Sequence, residues 1–438
     1  MDRRQLLGMA GALGASSLFT PTIIRASTSG APQSYRDPIS GHLVRRLSRQ
    51  SGSKVLYFHD NAFTADGKYM VLDTPNGIDV VDMESFEAAP LVEGPYECMM
   101  VSRQKNIAYV YKKNAQGEGK GAKGLDYFAV SIPDGKLSQI AEQVDGTLFQ
   151  VNSNDTLLLG VWQEREWALQ PGQKVAGTDG GYNAVGPDGK PLSFQAAKEV
   201  RMSQRLHQGI PMEIFTLDIA TGERKVVTGS TDWLNHVQFS PTDPDQIMYC
   251  HEGPWHEVDR IWTARTDGGT PQKVHSRTMN MEIAGHEFFS YDGREIWYDL
   301  QRPRGEDFWL ASYNLDTGKR IWRHMQRNEW SVHFNVSRDG KLIGGDGGGP
   351  DMVANAPDGK YMYLYDEEII EDMGVSAPDA DALIRPAVLR ARKLLDLNTH
   401  DYRMEPNLQF SVDSKWLTFR TNMFGDTHSY AVETKRSG

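Results

Sequence analysis

Three histidines and an asparagine occupy one fixed place in a repeated pattern: His236 in "WLNHVQFSPTDP", His286 in "GHEFFSYDG", His333 in "HFNVSRDG" and Asn407 in "MEPNLQFSVDS". Each stands three residues ahead of an apolar residue that opens a polar turn. Imidazoles and amide or carboxylate oxygens brought to one point make a site for a divalent cation with a general base beside it. A lone histidine near a strand is most often a satisfied structural residue. Three at equivalent positions point to a shared role, because buried polar groups without partners cost free energy. Counting back three from every such turn gives Asp60, Glu97, Leu148, His236, His286, His333 and Asn407. Period two along "MEPNLQF" puts Glu405, Asn407 and Gln409 on one strand face, which adds Glu405 to the candidate ligands. Imidazole and oxygen donors without thiolates suit manganese, zinc, iron or calcium.

A second polar cluster lies in "YCHEGPWHEVDRIW" and carries His251, Glu252, His256, Asp259 and Arg260. It is not the helical zinc motif HExxH, since Gly253 and Pro254 break a helix there. A loop at a blade edge is the expectation. It would place His251 and Trp255 at a rim, where an aromatic face can stack on a sugar ring. The glycines of "GGDGGGPD" allow close approach of the backbone.

These side chains converge only if the strands bearing them do. The turn recurs seven times, after Phe63, Met100, Val151, Phe239, Phe289, Val336 and Phe410, each time followed by an alternating strand. Further hairpin tips, "DIATGE" and "NLDTGK", fall between several copies. Four strands per copy and seven copies predict an all-β, seven-bladed β-propeller over residues 40–436, whose innermost strands present equivalent positions to one axis. The intervals from Val151 to Phe239 and from Val336 to Phe410 exceed the ~40–50 residues of one blade. Insertions are therefore expected at about 163–211, as a loop over one face, and at 366–400, helical in part up to Pro386. "GHLVRRLS" and "SYAVETKR" are expected to share one blade and close the ring.

The formal charge of −11 argues against a basic surface for nucleic acid. Residues 1–27 carry Arg3 and Arg4 ahead of a small-residue and apolar run, the pattern of a twin-arginine export signal, which predicts a periplasmic or exported protein. No other stretch nears the ~20 apolar residues of a membrane span. The two cysteines, Cys98 and Cys250, form no metal motif and are expected to be buried. Nothing in the sequence sets an oligomeric state.

Taken together, "YFHDNAFTADGKYMVLD", "WLNHVQFSPTDP", "CHEGPWHEVDRIW", "GHEFFSYDG", "HFNVSRDG" and "FRTNMFG" resemble the oligogalacturonate lyase family, seven-bladed propellers that cleave galacturonate oligomers by β-elimination. The resemblance implies a divalent metal, manganese in the first place with calcium or zinc as alternatives, a small acidic oligosaccharide as substrate, the histidine base at His236 and a metal-binding histidine at His286. Where the family has a glutamine and a His-Pro-His run, this chain has Tyr402, Glu405 and Asn407. The implied ligand set becomes His286, Glu405 and Asn407, with His333 as ligand or second base. Arg205 is the candidate for the assisting arginine, and His251, Trp255, Gln409 and Asp60 are candidate substrate contacts. The alternatives are a lyase for another uronate and a non-catalytic propeller that binds acidic sugars or acts as a scaffold.

Overall fold

The computed structural model describes residues 30–115, 117–118, 122–165, 185–192, 194–371, 379 and 382–437. The export-type segment, residues 1–27, lies outside them. Among the described residues there are six hydrogen-bonded sheets, with 3, 4, 4, 4, 5 and 8 strands. The eight-stranded sheet is two antiparallel four-stranded units joined by one parallel pairing of Arg320–His324 with Ile384–Val388, so the antiparallel units number seven, as a seven-bladed ring requires.

Six units are meanders that begin with the predicted innermost strand; in blade 1, Tyr69–Thr74, Gly77–Asp82 and Ala88–Glu93, only the bridge Phe63↔Met70 stands at that place. Blade 2 is Tyr96–Val101, Ile107–Lys112, Leu125–Ser131 and Leu137–Val144, and blade 3 is Thr147–Val151, Leu157–Gln163, Met212–Asp218 and Arg224–Ser230. Blade 4 is Trp233–Phe239, Gln246–Glu252, Ile261–Arg265 and Gln272–Lys273, and blade 5 is Ile283–Phe289, Glu295–Gln301, Phe308–Asn314 and Arg320–His324. Blade 6 is Phe334–Val336, Ile343–Gly345, Tyr361–Ile369 and Ile384–Asp396. Blade 7 takes Gln409–Phe410, Trp416–Phe424 and Asp426–Glu433 from the end of the chain, and Leu43–Arg46 from its start through the pair Val44↔Val432. That is the expected closure. Ser34–Arg36 pairs with Leu43–Arg46, so the folded unit begins ahead of residue 40.

Apolar faces of neighbouring blades supply the core. Phe239, Ile247 and Tyr249 of blade 4 pack with Leu159 and Ile214 of blade 3, and Met248 and Ile261 pack with Ile296 and Tyr298 of blade 5. At the hub, side-chain amides sew one blade to the next. They stand one residue before the turn: Gln150 accepts from the Phe239 amide at 3.0 Å, Gln238 donates to the Glu287 carbonyl at 2.8 Å, and Asn335 accepts from the Phe410 amide at 3.1 Å. Gln409 completes the seam by donating to the carbonyls of Tyr57 at 2.9 Å and Asp60 at 2.8 Å.

Three expectations are corrected. The described part of the 163–211 insertion, which leaves blade 3 between Leu157–Gln163 and Met212–Asp218, contains a helix, Phe194–His207, and not only a loop. The segment around Pro386 is strand throughout, Ile384–Asp396, because it forms the outer edge of blade 6 against Tyr361–Ile369. In blade 2 the register pairs Met100 with Tyr109 and Val101 with Ala108, so Val101 is the residue opening the turn. The ring position there is therefore buried Cys98, and Glu97 is taken up by Tyr111 and, at 2.6 Å, by Lys113.

Candidate metal and catalytic site on the propeller axis

His236, His286 and Asn407 have left-handed backbones, with φ of 48°, 47° and 56°. In blades 4 and 5 the ladder skips a residue at this point, between Asn235 and Gln238 and between Gly285 and Phe288. A bulge with positive φ re-aims a side chain that would otherwise lie in the sheet face, and histidine and asparagine accept that conformation more readily than most residues. The repeat thus delivers its polar residues toward one centre. The His286 and His333 ring centroids are 4.8 Å apart, and the Tyr57 ring stands 5.7 Å from His333 and 6.2 Å from His236.

Two of these imidazoles are locked from behind. His286 Nδ1 lies 3.0 Å from Asp299 Oδ1, and His333 Nδ1 lies 2.8 Å from Asp346 Oδ2. A carboxylate on Nδ1 fixes the proton there and leaves Nε2 as the ligating atom, the arrangement that supports metal-bound histidines. His333 Nε2 is buried without a hydrogen-bond partner, 3.8 Å from Glu405 Oε2, and Asn407 Oδ1 is buried and unpartnered as well. Two buried acceptors left open beside a carboxylate fit a cation that would take all three. Burial acts against ionisation of Glu405, yet His333, His286 and Lys198 hold it below the usual carboxylate range.

His236 has a different surrounding. Burial pushes it down to about 4, so near neutral pH it is an unprotonated base. Its Nε2 is 4.0 Å from Glu252 Oε2, and Arg260 ties this carboxylate to Glu287, at 3.6 Å and 3.1 Å. Burial opposes the ionisation of Glu252, but Arg260 and His236 bring it to about 2. His236, Cys250 and Glu252 also offer three donor atoms within 4.8 Å of one another. That cluster suits a metal poorly: burial keeps the Cys250 thiol protonated, and the Arg260 guanidinium already balances the acid.

Not every candidate joins the centre. Trp255 does border it, lying over Arg260 and within 3.9 Å of where a Cβ on Gly285 would stand. His251 does not. It bonds Asp232 at 2.7 Å between Tyr249 and Trp262, on the strand face opposite Glu252. Gln409 is used up by backbone carbonyls in the seam, and buried Asp60 accepts from Gln150 at 2.8 Å; both serve the hub in place of the expected substrate contact. Arg205 is buried with its guanidinium on Trp233 at 4.6 Å and 3.0 Å from Gln163 Oε1, which fastens the helix to blades 3 and 4 and leaves no direct catalytic role evident. Tyr402 donates to the Asp346 carbonyl at 2.6 Å, behind His333.

The helix supplies a residue that spacing along the repeat does not reveal. His207 pairs with Glu257 of the blade 4 loop at 3.6 Å, Leu206 lies against Gly253, and Glu199 pairs with Arg304 of blade 5. The helix therefore bridges the two blades that bear His236 and His286. Its Lys198 acts electrostatically on both Glu252 and Glu405. Lys198, Tyr57, Glu252, Arg260, Asp299 and Asp346 are site residues that counting back from the turns misses; Glu252 and Arg260 carried a signal in the cluster around blade 4's second strand, and Asp346 stands inside the glycine-rich "GGDGGGPD".

Fold and site together define a β-propeller with a histidine–carboxylate centre on its axis. The family model described as oligogalacturonate lyase matches residues 161–367. An oligogalacturonate lyase of Dickeya dadantii is 24% identical over 76% of this chain and 79% of its own length, and an oligogalacturonide lyase of Pectobacterium atrosepticum is 29% identical over 72% and 74%. Among solved structures, an oligogalacturonate lyase of Vibrio parahaemolyticus superposes with a TM-score of 0.69 at 20% identity, covering 92% of this chain and 96% of that one. An oligogalacturonate lyase in complex with manganese gives 0.67 at 20%, covering 91% and 95%. The chain is similar to proteins named oligogalacturonate lyase along most of its length.

Proposed function

We propose that the protein is a metal-assisted lyase that cleaves oligogalacturonate by β-elimination. The observation that carries the reading is the pair of buried, open acceptors, His333 Nε2 and Asn407 Oδ1, beside His286 and Glu405. Relatives named for this activity, and a structural neighbour of that name in complex with manganese, support it. His286, His333, Glu405 and Asn407 would hold the cation, with His333 from blade 6 making up for a histidine pair absent from blade 7. When bound, a divalent metal, manganese first and calcium or zinc as alternatives, neutralises the uronate carboxylate so that negative charge can develop there.

The chain's own residues account for the rest. A carboxylate is a poor electron sink, so the proton on C5 leaves only if a base is in place and the charge at C6 is offset. His236, neutral because it is buried, takes that proton; the C5 electron pair forms the C4–C5 double bond, and the C4–O bond breaks with its electron pair on the leaving sugar's oxygen, which takes a proton from water. Glu252, fixed by Arg260 and Asn235, stands by the imidazole and favours its charged form once protonated. Asp299 and Asp346 hold the tautomers of His286 and His333. Burial keeps the Tyr57 phenol protonated between the rings, and Lys198 adds positive charge where an acidic sugar chain would lie.

With trigalacturonate and manganese, the protein should release product absorbing in the ultraviolet as a 4,5-unsaturated uronate. His236→Ala should lose at least 100-fold in kcat, within the range for a general base, while binding metal as the wild type does. Full activity in that variant, or no unsaturated product from the wild type, overturns the reading. Export and a part in pectin breakdown belong to the same proposal; sequencing the N-terminus of protein recovered from the cell envelope tests the former, with cleavage expected near Ala26.

A further inference from the structure

The propeller axis has a second end. Inner strands run the same way in every blade, so residues two after the turn-opening position lie about 15 Å further along than residues three before it, at ~3.3 Å per residue. Three such residues meet there: Arg103 of blade 2, Tyr291 of blade 5 and Arg338 of blade 6. The guanidinium of Arg338 is 4.2 Å from the Tyr291 ring centroid and that of Arg103 is 5.7 Å from it. Blades 2, 5 and 6 are not all neighbours, so the contact is one that only the axis of the ring allows. The three line a cavity of about 80 Å³ that reaches inward to His59 and Asp60 and does not include His236, His286 or His333.

Among the described residues neither arginine is in an ion pair; Arg338 donates weakly to the Ala65 carbonyl at 3.3 Å. Burial pushes Arg103 down to about 10; Tyr291 and the more distant carboxylate of Asp60, at the inner end of the same cavity, act against this and the nearby Arg338 acts with it, while burial lowers Arg338 too. Two half-buried like charges sharing one aromatic ring repel each other, and in a chain of net charge −11 there is no shortage of carboxylates that could have been placed beside them. Planar guanidinium forks on an aromatic face are a ready receptor for an oxyanion.

We propose that Arg103, Arg338 and Tyr291 form an anion-binding site in the cavity at the end of the axis opposite the histidine centre, for a carboxylate or sulfate-like oxyanion. The sources sharing that chemistry are a free inorganic anion and the carboxylate of a uronate. The site goes beyond the lyase reading and stands or falls apart from it. It is tested by calorimetric titration of the metal-loaded protein, at low ionic strength, with sulfate and with monomeric galacturonate.

The wild type should bind at least one of them saturably, and both Arg103→Gln and Arg338→Gln should weaken that binding at least tenfold while lyase turnover stays unchanged. Tighter binding of galacturonate than sulfate assigns a sugar acid; equal binding assigns a simple oxyanion. Relief of repulsion should also leave each variant with a Tm at or above that of the anion-free wild type, and added sulfate should reverse the order. Arg338→Lys, which keeps the charge, should retain binding within threefold to fivefold. Absence of saturable binding in the wild type, binding that survives both glutamine substitutions, or variants less stable than the anion-free wild type overturns the site.

Discussion

At the scale of single residues, burial sets histidines to opposite tasks according to what faces them. His333 and His400 are each 1% exposed. His333 looks onto Asp346 and Glu405, which outweigh burial and raise its pKa, whereas His400 faces the Thr421 hydroxyl at 2.9 Å and the Met404 carbonyl at 2.7 Å and is pushed by burial down to about 4. Nε2–H donates to the carbonyl and Nδ1 accepts from the hydroxyl, so the neutral ring is fully satisfied. Between pH 6.5 and about 4 the unfolded chain binds a proton at this residue that the folded chain refuses. Stability must therefore fall as pH drops through that window, by about 3 kcal/mol in full for ~2.5 pKa units. In urea unfolding, the wild type should lose about 2 kcal/mol more than His400→Gln between pH 7 and pH 4.5. Equal losses would show that His400 is not held neutral by the fold.

At the scale of elements, the inner strand with its bulge is the working part. The repeated turns made this strand and its polar position legible in the sequence for blades 4, 5 and 7, because each turn marks where the pairing ends. In blade 2 the count slipped by one, since "MVSRQKN" offers two apolar residues before the turn and only the register chooses Val101. Pro386 misled for another reason: proline argues against a helix interior, but here it stands near the start of a strand, one residue outside the antiparallel ladder that ends at Ile369↔Ala387 and opposite Trp322 in the parallel pairing. Lys198 was unreadable because its helix belongs to no repeat. The bulge in blade 5 begins at Gly285, where a Cβ would come 3.2 Å from Asp299 Oδ1 and 3.9 Å from Arg260 Nε. Gly285→Ala should push Asp299 off His286 and lower manganese affinity about tenfold, as loss of such outer partners does, with little change in Tm. Unchanged affinity by calorimetry would mean that Asp299 does not orient the ligand.

At the scale of the whole molecule, the site exists because a ring is closed, and two devices close it. One is the shared blade, in which Leu43–Arg46 pairs with Asp426–Glu433 and both chain ends are bound into one sheet. The other is the amide seam at the hub, which spacing along the chain could not reveal because its partners are backbone amides and carbonyls of other blades. Gln409 matters most in that seam. Its Nε2 reaches the carbonyls of Leu56, Tyr57 and Asp60 at 3.3, 2.9 and 2.8 Å, so one amide joins blade 7 to the segment that carries Tyr57 into the histidine centre. Replacing it by leucine keeps the volume and strands the Leu56 and Asp60 carbonyls away from water, while the Tyr57 carbonyl keeps the Asp60 amide, a cost of about 1–3 kcal/mol for a group left unpaired. Because the loss falls on the closing joint, it should also release Tyr57. Gln409→Leu should therefore lower Tm by several degrees and raise KM for oligogalacturonate. Gln238→Leu, at the joint between blades 4 and 5, should lower Tm alike and leave the Tyr57 segment in place. Were Gln409→Leu as stable as the wild type, the ring would have to be held shut by the shared blade alone, and the amide seam would be incidental to it.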